Sequence, residues 1–98
     1  MAHPIVLKGE FDISNVDELR RKLTKAEHAG NDDIVIDMRS VTYMDSSSLG
    51  TLAAFRKQIH PTGRRITLLI ENPQLLRIFR ITSLDKSFEI VSDSGTTS

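Results

Sequence analysis

Short runs of branched aliphatic residues alternate along this chain with segments whose apolar residues recur at helical spacing, joined by connections of a few residues. No other feature constrains the fold as much. A strand, a crossing helix and a next strand linked this tightly build a layered α/β domain with mainly parallel strands. Ile5-Val6-Leu7 reads as a first strand closing at Gly9. Ser14, with Asp17 three residues on, resembles a capping arrangement ahead of a helix whose apolar stripe is Val16, Leu19, Leu23 and Ala26. Gly30 offers that helix a stop. Ile34-Val35-Ile36-Asp37-Met38 follows as a largely apolar strand suited to the centre of a sheet.

Beyond Val41-Thr42-Tyr43-Met44 a run of serines opens a second helix, which extends to about His60 and is ended by Pro61-Thr62-Gly63. Its inward stripe is expected to be Leu49, Leu52, Ala53 and Ile59. Phe55 sits at the margin, either as a core-edge aromatic or as a partner contact. The pair Arg64-Arg65 suits a solvated strand start better than a phosphate clamp. It leads into Ile66-Thr67-Leu68-Leu69-Ile70, a third strand. Asn72, with Pro73 at the first helical position, opens a helix carrying Leu75, Leu76, Ile78 and Phe79. Phe88-Glu89-Ile90-Val91 is a last, edge strand. No repeat or linker divides the chain, so one domain is expected over residues 1–91, with 92–98 as a tail that has nothing to bury and frays.

With 98 residues there is room for one modest core. Thirteen basic residues balance thirteen acidic ones, so no global field favours nucleic acid or an anionic membrane. Four Phe, one Tyr and no Trp leave little surface for stacking bases. The absence of cysteine excludes disulfides, thiol catalysis and thiolate metal sites, and suits a cytoplasmic location. No apolar run approaches the roughly 18 residues of a membrane span. The opening MAHPIVLKGE lacks the basic flank and the apolar stretch of roughly 7–15 residues that mark a secretory signal.

Enzyme chemistry finds few parts. A serine nucleophile needs a base within hydrogen-bond reach and a group to orient that base. His3 lies at the start of the chain, His28 on the polar side of the first helix, and His60 several turns beyond Ser46. The G-x-S-x-G elbow is missing. Asp32-Asp33 is turn polarity rather than a metal site, and Gly50 alone is not a phosphate loop for a nucleotide-binding or phosphotransfer enzyme. No catalytic residue, metal or cofactor is expected.

Asp45-Ser46-Ser47-Ser48 supplies more than a helix start requires. One capping side chain accepts the unpaired amide protons, and the extra hydroxyls are expected to face solvent. A helix N-terminus also favours negative charge by about 0.3–1 kcal/mol at exposed sites. A phosphate on a hydroxyl there would be tolerated by the fold while adding roughly two negative charges to the surface.

Gly9-Glu10-Phe11-Asp12 ahead of a helix, the Ile/Val-rich strand ending in Asp37, and Tyr43-Met44-Asp45-Ser46-Ser47-Ser48-Leu49-Gly50 together resemble the STAS domain family. The similarity is strongest to its bacterial anti-sigma-factor antagonists, and it extends over nearly the whole chain. The resemblance implies a mixed, mainly parallel sheet of four to five strands with helices mainly on one side. It implies a non-enzymatic regulator that binds an anti-sigma factor serine kinase and frees a sigma factor. Phosphorylation of the serine after the motif aspartate switches it off, and a PP2C-type phosphatase reverses this. By position the phosphoacceptor is Ser46, with Ser47 and Ser48 behind it. The partner surface is Asp12, Asp45, Ser46, Ser47, Ser48, Leu49, Gly50 and Phe55; Asp12 serves equally well as the start of the Asp12-Ile13-Ser14 turn.

Two departures from the family pattern stand out. Ser48 occupies the usual glycine position, where it is expected to alter partner choice or add a second acceptor. The family's common strand ahead of Ile5–Leu7 is also expected to be absent, which would expose a sheet edge with pairing to another chain as the risk; a monomer or weak dimer is expected. A STAS module in a sensory scaffold or transporter complex, never phosphorylated, is the alternative within the family.

Overall fold

The computed structural model describes residues 4–92. Four strands and three helices alternate: β1 (Ile5–Phe11), α1 (Val16–His28), β2 (Ile34–Met44), α2 (Ser46–Ile59), β3 (Ile66–Leu69), α3 (Pro73–Ile81) and β4 (Glu89–Val91). Short 3-10 turns at His60–Thr62 and Leu84–Lys86 follow α2 and α3. The sheet order is β1-β2-β3-β4, and every pairing is parallel. The antiparallel member of a mixed sheet, and a fifth strand, are not among the described residues. Each of β1, β2 and β3 is followed by a helix that carries the chain back to the same end of the sheet, so successive strands run in the same direction. The expected tail lies, Ser92 apart, outside the described residues.

Sequential parallel strands joined by right-handed crossovers place the helices on one face. The core agrees, since Leu19 and Leu23 of α1, Leu52, Phe55 and Ile59 of α2, and Leu75 and Phe79 of α3 join one cluster. They cover Leu7, Ile34, Ile36, Met38, Ile66 and Leu68 from the inward side of the strands. The rings of Phe79 and Phe88 meet in a T-shaped contact with centroids 6.3 Å apart, closing the α3–β4 corner.

Both long strands run further than their patterns suggest. β1 does not close at Gly9 but continues to Phe11, with Gly9 at φ +79°, a left-handed conformation open to glycine. β2 joins the Ile34–Met38 run to Val41–Met44 without a break. Val6 and Lys8 pair with Asp37 and Ser40, and Gly9 and Glu10 with Val41 and Tyr43, so β2 gains one residue over β1 at each irregularity. Its inward residues after Ile36 are therefore Met38, Val41 and Met44, three apart instead of two. That break in period disguises a single strand as two.

The caps divide in the same way. Asn72 accepts from the Gln74 amide at 2.9 Å with Pro73 in the first turn, as the sequence indicates. At α1 the N-cap is Asn15 rather than Ser14, whose hydroxyl is turned back to Asp12 Oδ1. Asn15 makes no side-chain cap bond because its side-chain amide is engaged by the Asp12 amide and the Glu10 carbonyl. The helix closes through right-handed Ala29 before reaching Gly30. Gly63, at φ +78°, does end the α2 segment.

Candidate functional site

Asp45 is the hub of the site. As the N-cap of α2 it has extended backbone, and its carboxylate accepts from four donors. Oδ1 takes the Ser48 amide at 2.9 Å, the Ser47 hydroxyl at 2.8 Å and the Ser48 hydroxyl at 3.0 Å. Oδ2 takes the Ile13 amide at 3.0 Å. The Ser48 amide, with the two hydroxyls and the Ile13 amide behind it, holds the Asp45 carboxyl below its ordinary value of 3.8. The group is an anion fixed at the mouth of a helix.

The partner segment, residues 12–15, is tied down by its own side chains. Asn15 Oδ1 accepts from the Asp12 amide at 2.8 Å, its Nδ2 donates to the Glu10 carbonyl at 2.9 Å, and its amide donates to the Asp12 carbonyl at 3.1 Å. Asp12 Oδ1 accepts from the Ser14 amide at 2.9 Å and from the Ser14 hydroxyl. The turn-forming role of Asp12 is therefore real, and its half-buried side chain remains next to Ile13 at the site. The Asp45 amide donates to the Phe11 carbonyl at 3.1 Å, which clamps the ends of β1 and β2 together.

The three serines separate cleanly. Ser46, at the first position of α2, is exposed, and its hydroxyl has no bond among the described residues. Ser47 is half-buried and donates to Asp45. Ser48 is fully buried, with 0% exposure, and satisfied by Asp45. The expectation that the extra hydroxyls face solvent is corrected at Ser48, whose hydroxyl is enclosed in this conformation, away from the surface where a second acceptor or a partner contact was expected. With Asp45 as N-cap, Ser48 falls in line with Leu52, Phe55 and Ile59 on the buried stripe of α2. The same phase corrects Phe55, which at 5% exposure belongs to the core rather than its margin. Leu49 packs against the core from a half-buried position, and Gly50 is exposed with open space around it.

Ile13 was not among the sequence-derived site residues. It is 73% exposed, and its amide is bonded to Asp45, so an apolar side chain stands in solvent on the anchored turn beside the serines. The one sequence signal is an isoleucine inside a polar Asp-Ile-Ser-Asn turn. Among the described residues no group of three His, Asp or Glu side chains converges as a metal site, and no helix is long and apolar enough to cross a membrane.

Fold and site together define a small α/β domain with an exposed serine at a helix mouth, beside a charged and apolar rim. The chain belongs to the STAS domain family, which matches residues 4–96. It is 30% identical to the anti-sigma-B factor antagonist of Staphylococcus aureus over 82 residues, spanning 84% of this chain and 76% of the relative. An anti-sigma factor antagonist from Mycobacterium paratuberculosis has the same fold, with a TM-score of 0.78 at 23% identity over 89% of this chain and 74% of that one. So does the Bacillus cell fate determinant SpoIIAA in its phosphorylated form, with a TM-score of 0.67 at 24% identity over 93% and 83%.

Proposed function

We propose that the chain is a cytoplasmic anti-sigma-factor antagonist without catalytic activity, which captures an anti-sigma serine kinase and is released from it by phosphorylation of Ser46. The observation that carries this is the separation of the three hydroxyls. Ser47 and Ser48 donate to Asp45, while Ser46 is exposed and unengaged. The kinase moves the γ-phosphoryl of ATP to Ser46 Oγ, the hydroxyl proton leaves to a base of the kinase, and ADP departs. A PP2C-type phosphatase hydrolyses the ester and restores serine. A neighbour in fold, SpoIIAA, is described in phosphorylated form.

The physics favours a switch over an unfolding event. The helix mouth offsets part of the added charge, by about 0.3–1 kcal/mol. In the complex, roughly two negative charges next to Asp45 and Asp12 would be desolvated against the partner, and an unpaired buried charge costs several kcal/mol.

The test is incubation with candidate anti-sigma kinases and ATP, phosphosite mass spectrometry, and affinities of three forms. Phosphate is expected on Ser46. Ser46→Ala is expected to bind as wild type does, and Ser46→Asp at least about tenfold more weakly, with stability changed by no more than about 0.5 kcal/mol. Equal affinity of all three for the cognate kinase would sink the proposal.

A further inference from the structure

The far end of α2 carries a second constellation of a different kind. A cavity of about 220 Å³ opens where the end of α2 meets the starts of β3 and β4. Its floor is apolar, built from buried Ile59, Ile66 and Phe88. Arg56, Arg64, Arg65 and Lys86 stand around it, against the single carboxylate of Glu89. The whole chain has equal numbers of basic and acidic residues, so this excess is local. By helical rise it lies about 20 Å from Ser46.

Cations near a helix C-terminus have an ordinary explanation, since they complement the helix dipole. That accounts for Arg56 in the last turn of α2. It does not account for Arg64 and Arg65 ahead of β3, or for Lys86 in the turn before β4, which arrive from other segments. Among the described residues no carboxylate lies within ion-pair distance of Arg56, Arg64 or Lys86. Arg65 reaches Glu89 only at 3.5 Å, with both side chains well exposed, a pair of little worth that can open.

Two of the guanidinium groups are instead held by neutral acceptors. Arg56 Nε donates to the Ser87 carbonyl at 3.1 Å. Arg64 Nε donates to the Asp32 carbonyl at 2.7 Å, and its Nη1 to the Glu27 carbonyl at 3.0 Å. Carbonyls fix the orientation of these groups without neutralising them. Fixed guanidinium groups with spare N–H donors match the oxygens of phosphate, and several converging cations suit more than one negative charge. The volume falls below the roughly 300–1,000 Å³ of sites for drug-sized ligands, which favours a small anion.

We propose that this cavity is an anion site for a small phosphate-bearing molecule, with Arg56, Arg64 and Lys86 as its charged contacts and Ile59 and Phe88 as its apolar floor. The site is separate from Ser46 and does not depend on the regulatory role proposed for that residue.

The test is a titration of the whole chain with inorganic pyrophosphate at constant ionic strength, followed by amide chemical shifts. Saturable shifts are expected at Arg64, Ser87, Phe88 and Glu89, with the amides at Ser46 and Ser47 unmoved. Lys86→Gln, a change at an exposed turn, and Arg56→Gln are each expected to weaken binding by roughly fivefold to tenfold. Lys86→Gln keeps the test open if Arg56→Gln disturbs the turn it holds. No saturation up to roughly 10 mM, shifts centred on the α2 N-terminus, or unchanged affinity in Lys86→Gln would overturn the proposal. So would binding only to vesicles containing phosphatidylglycerol or only to an acidic peptide, with none to pyrophosphate.

Discussion

The backbone amide of Ile13 donates to Asp45 Oδ2 at 3.0 Å, across 32 positions of sequence. This bond and the Asp45 amide bond to the Phe11 carbonyl lock the turn after β1 onto the mouth of α2. The two halves of the family motif are thus one rigid surface. Under the proposed function, a change of charge at Ser46 would reach a partner that spans both halves, with no movement inside the domain required.

The first prediction concerns acid. Asp45 is held below its ordinary 3.8 by the Ser48 amide foremost, then by the Ser47 and Ser48 hydroxyls and the Ile13 amide. A depressed folded value means that its stabilising contribution is complete above the unfolded value near 4 and is lost as pH falls through the folded value. In Asp45→Asn the amide can still accept from Ser48, but its NH₂ meets the Ile13 N–H with a donor. This variant should melt below wild type at pH 7, and the two melting curves should converge below about pH 4. Asp37, also lowered, chiefly by the side-chain hydrogen bond from Arg39, is present in both proteins and cancels. Melting temperatures that stay equally far apart down to about pH 2 would refute the argument.

Ile13 tests the partner surface. Its side chain is mostly in solvent, so Ile13→Asp should change folding stability by no more than about 0.5 kcal/mol. An apolar side chain on a fixed turn beside Ser46 is suited to a pocket on the partner, and a carboxylate there adds to Asp12 and Asp45. Affinity for the anti-sigma kinase, measured by calorimetry, should fall at least about tenfold. Undiminished affinity would place Ile13 outside the interface.

Ser48 can be examined by deletion in two steps. Ser48→Ala removes only its hydroxyl bond to Asp45 and should cost about 0.5–1.5 kcal/mol in urea unfolding. Ser48→Gly, which restores the usual family residue, also frees the backbone of the first helical turn and should cost about 1–2 kcal/mol. Neither should alter phosphate incorporation, because the hydroxyl is buried. A fall in incorporation with either variant would show that Ser48 is itself reached by the kinase.

What the sequence discloses and what it hides follow from how local the cause is. The Asn72-Pro73 cap is legible because donor and acceptor lie two residues apart. Ser14 misleads because its hydroxyl has a nearer rival in Asp12. The extent of β2 is obscured because its inward spacing is set by added residues against β1, a relation between two strands. At the site, Asp12, Asp45 and Ser46 stand out by residue type and motif spacing. The burial of Ser48 depends on helical phase, which is fixed only once Asp45 is known to be the cap. Ile13 is hidden because its role rests on a bond to a residue far along the chain.

Gly9 offers the sharpest contrast of backbone against contact. It stands at φ +79°, next to the second register irregularity of β1, and leads into the segment that carries Asp12. A Cβ added there would meet nothing within 4 Å, so Gly9→Ala should pay only for the left-handed conformation, about 1–2 kcal/mol. Gly30 is also open on all sides but has no positive φ, and Gly30→Ala should stabilise by about 0.4–1 kcal/mol through the unfolded chain. The same chemical change is thus expected to have opposite signs at two equally roomy positions. Urea unfolding of both variants decides it, with equal slopes expected and midpoints displaced in opposite directions. If Gly9→Ala unfolds at the wild-type midpoint, strand β1 does not hold Gly9 in the left-handed region.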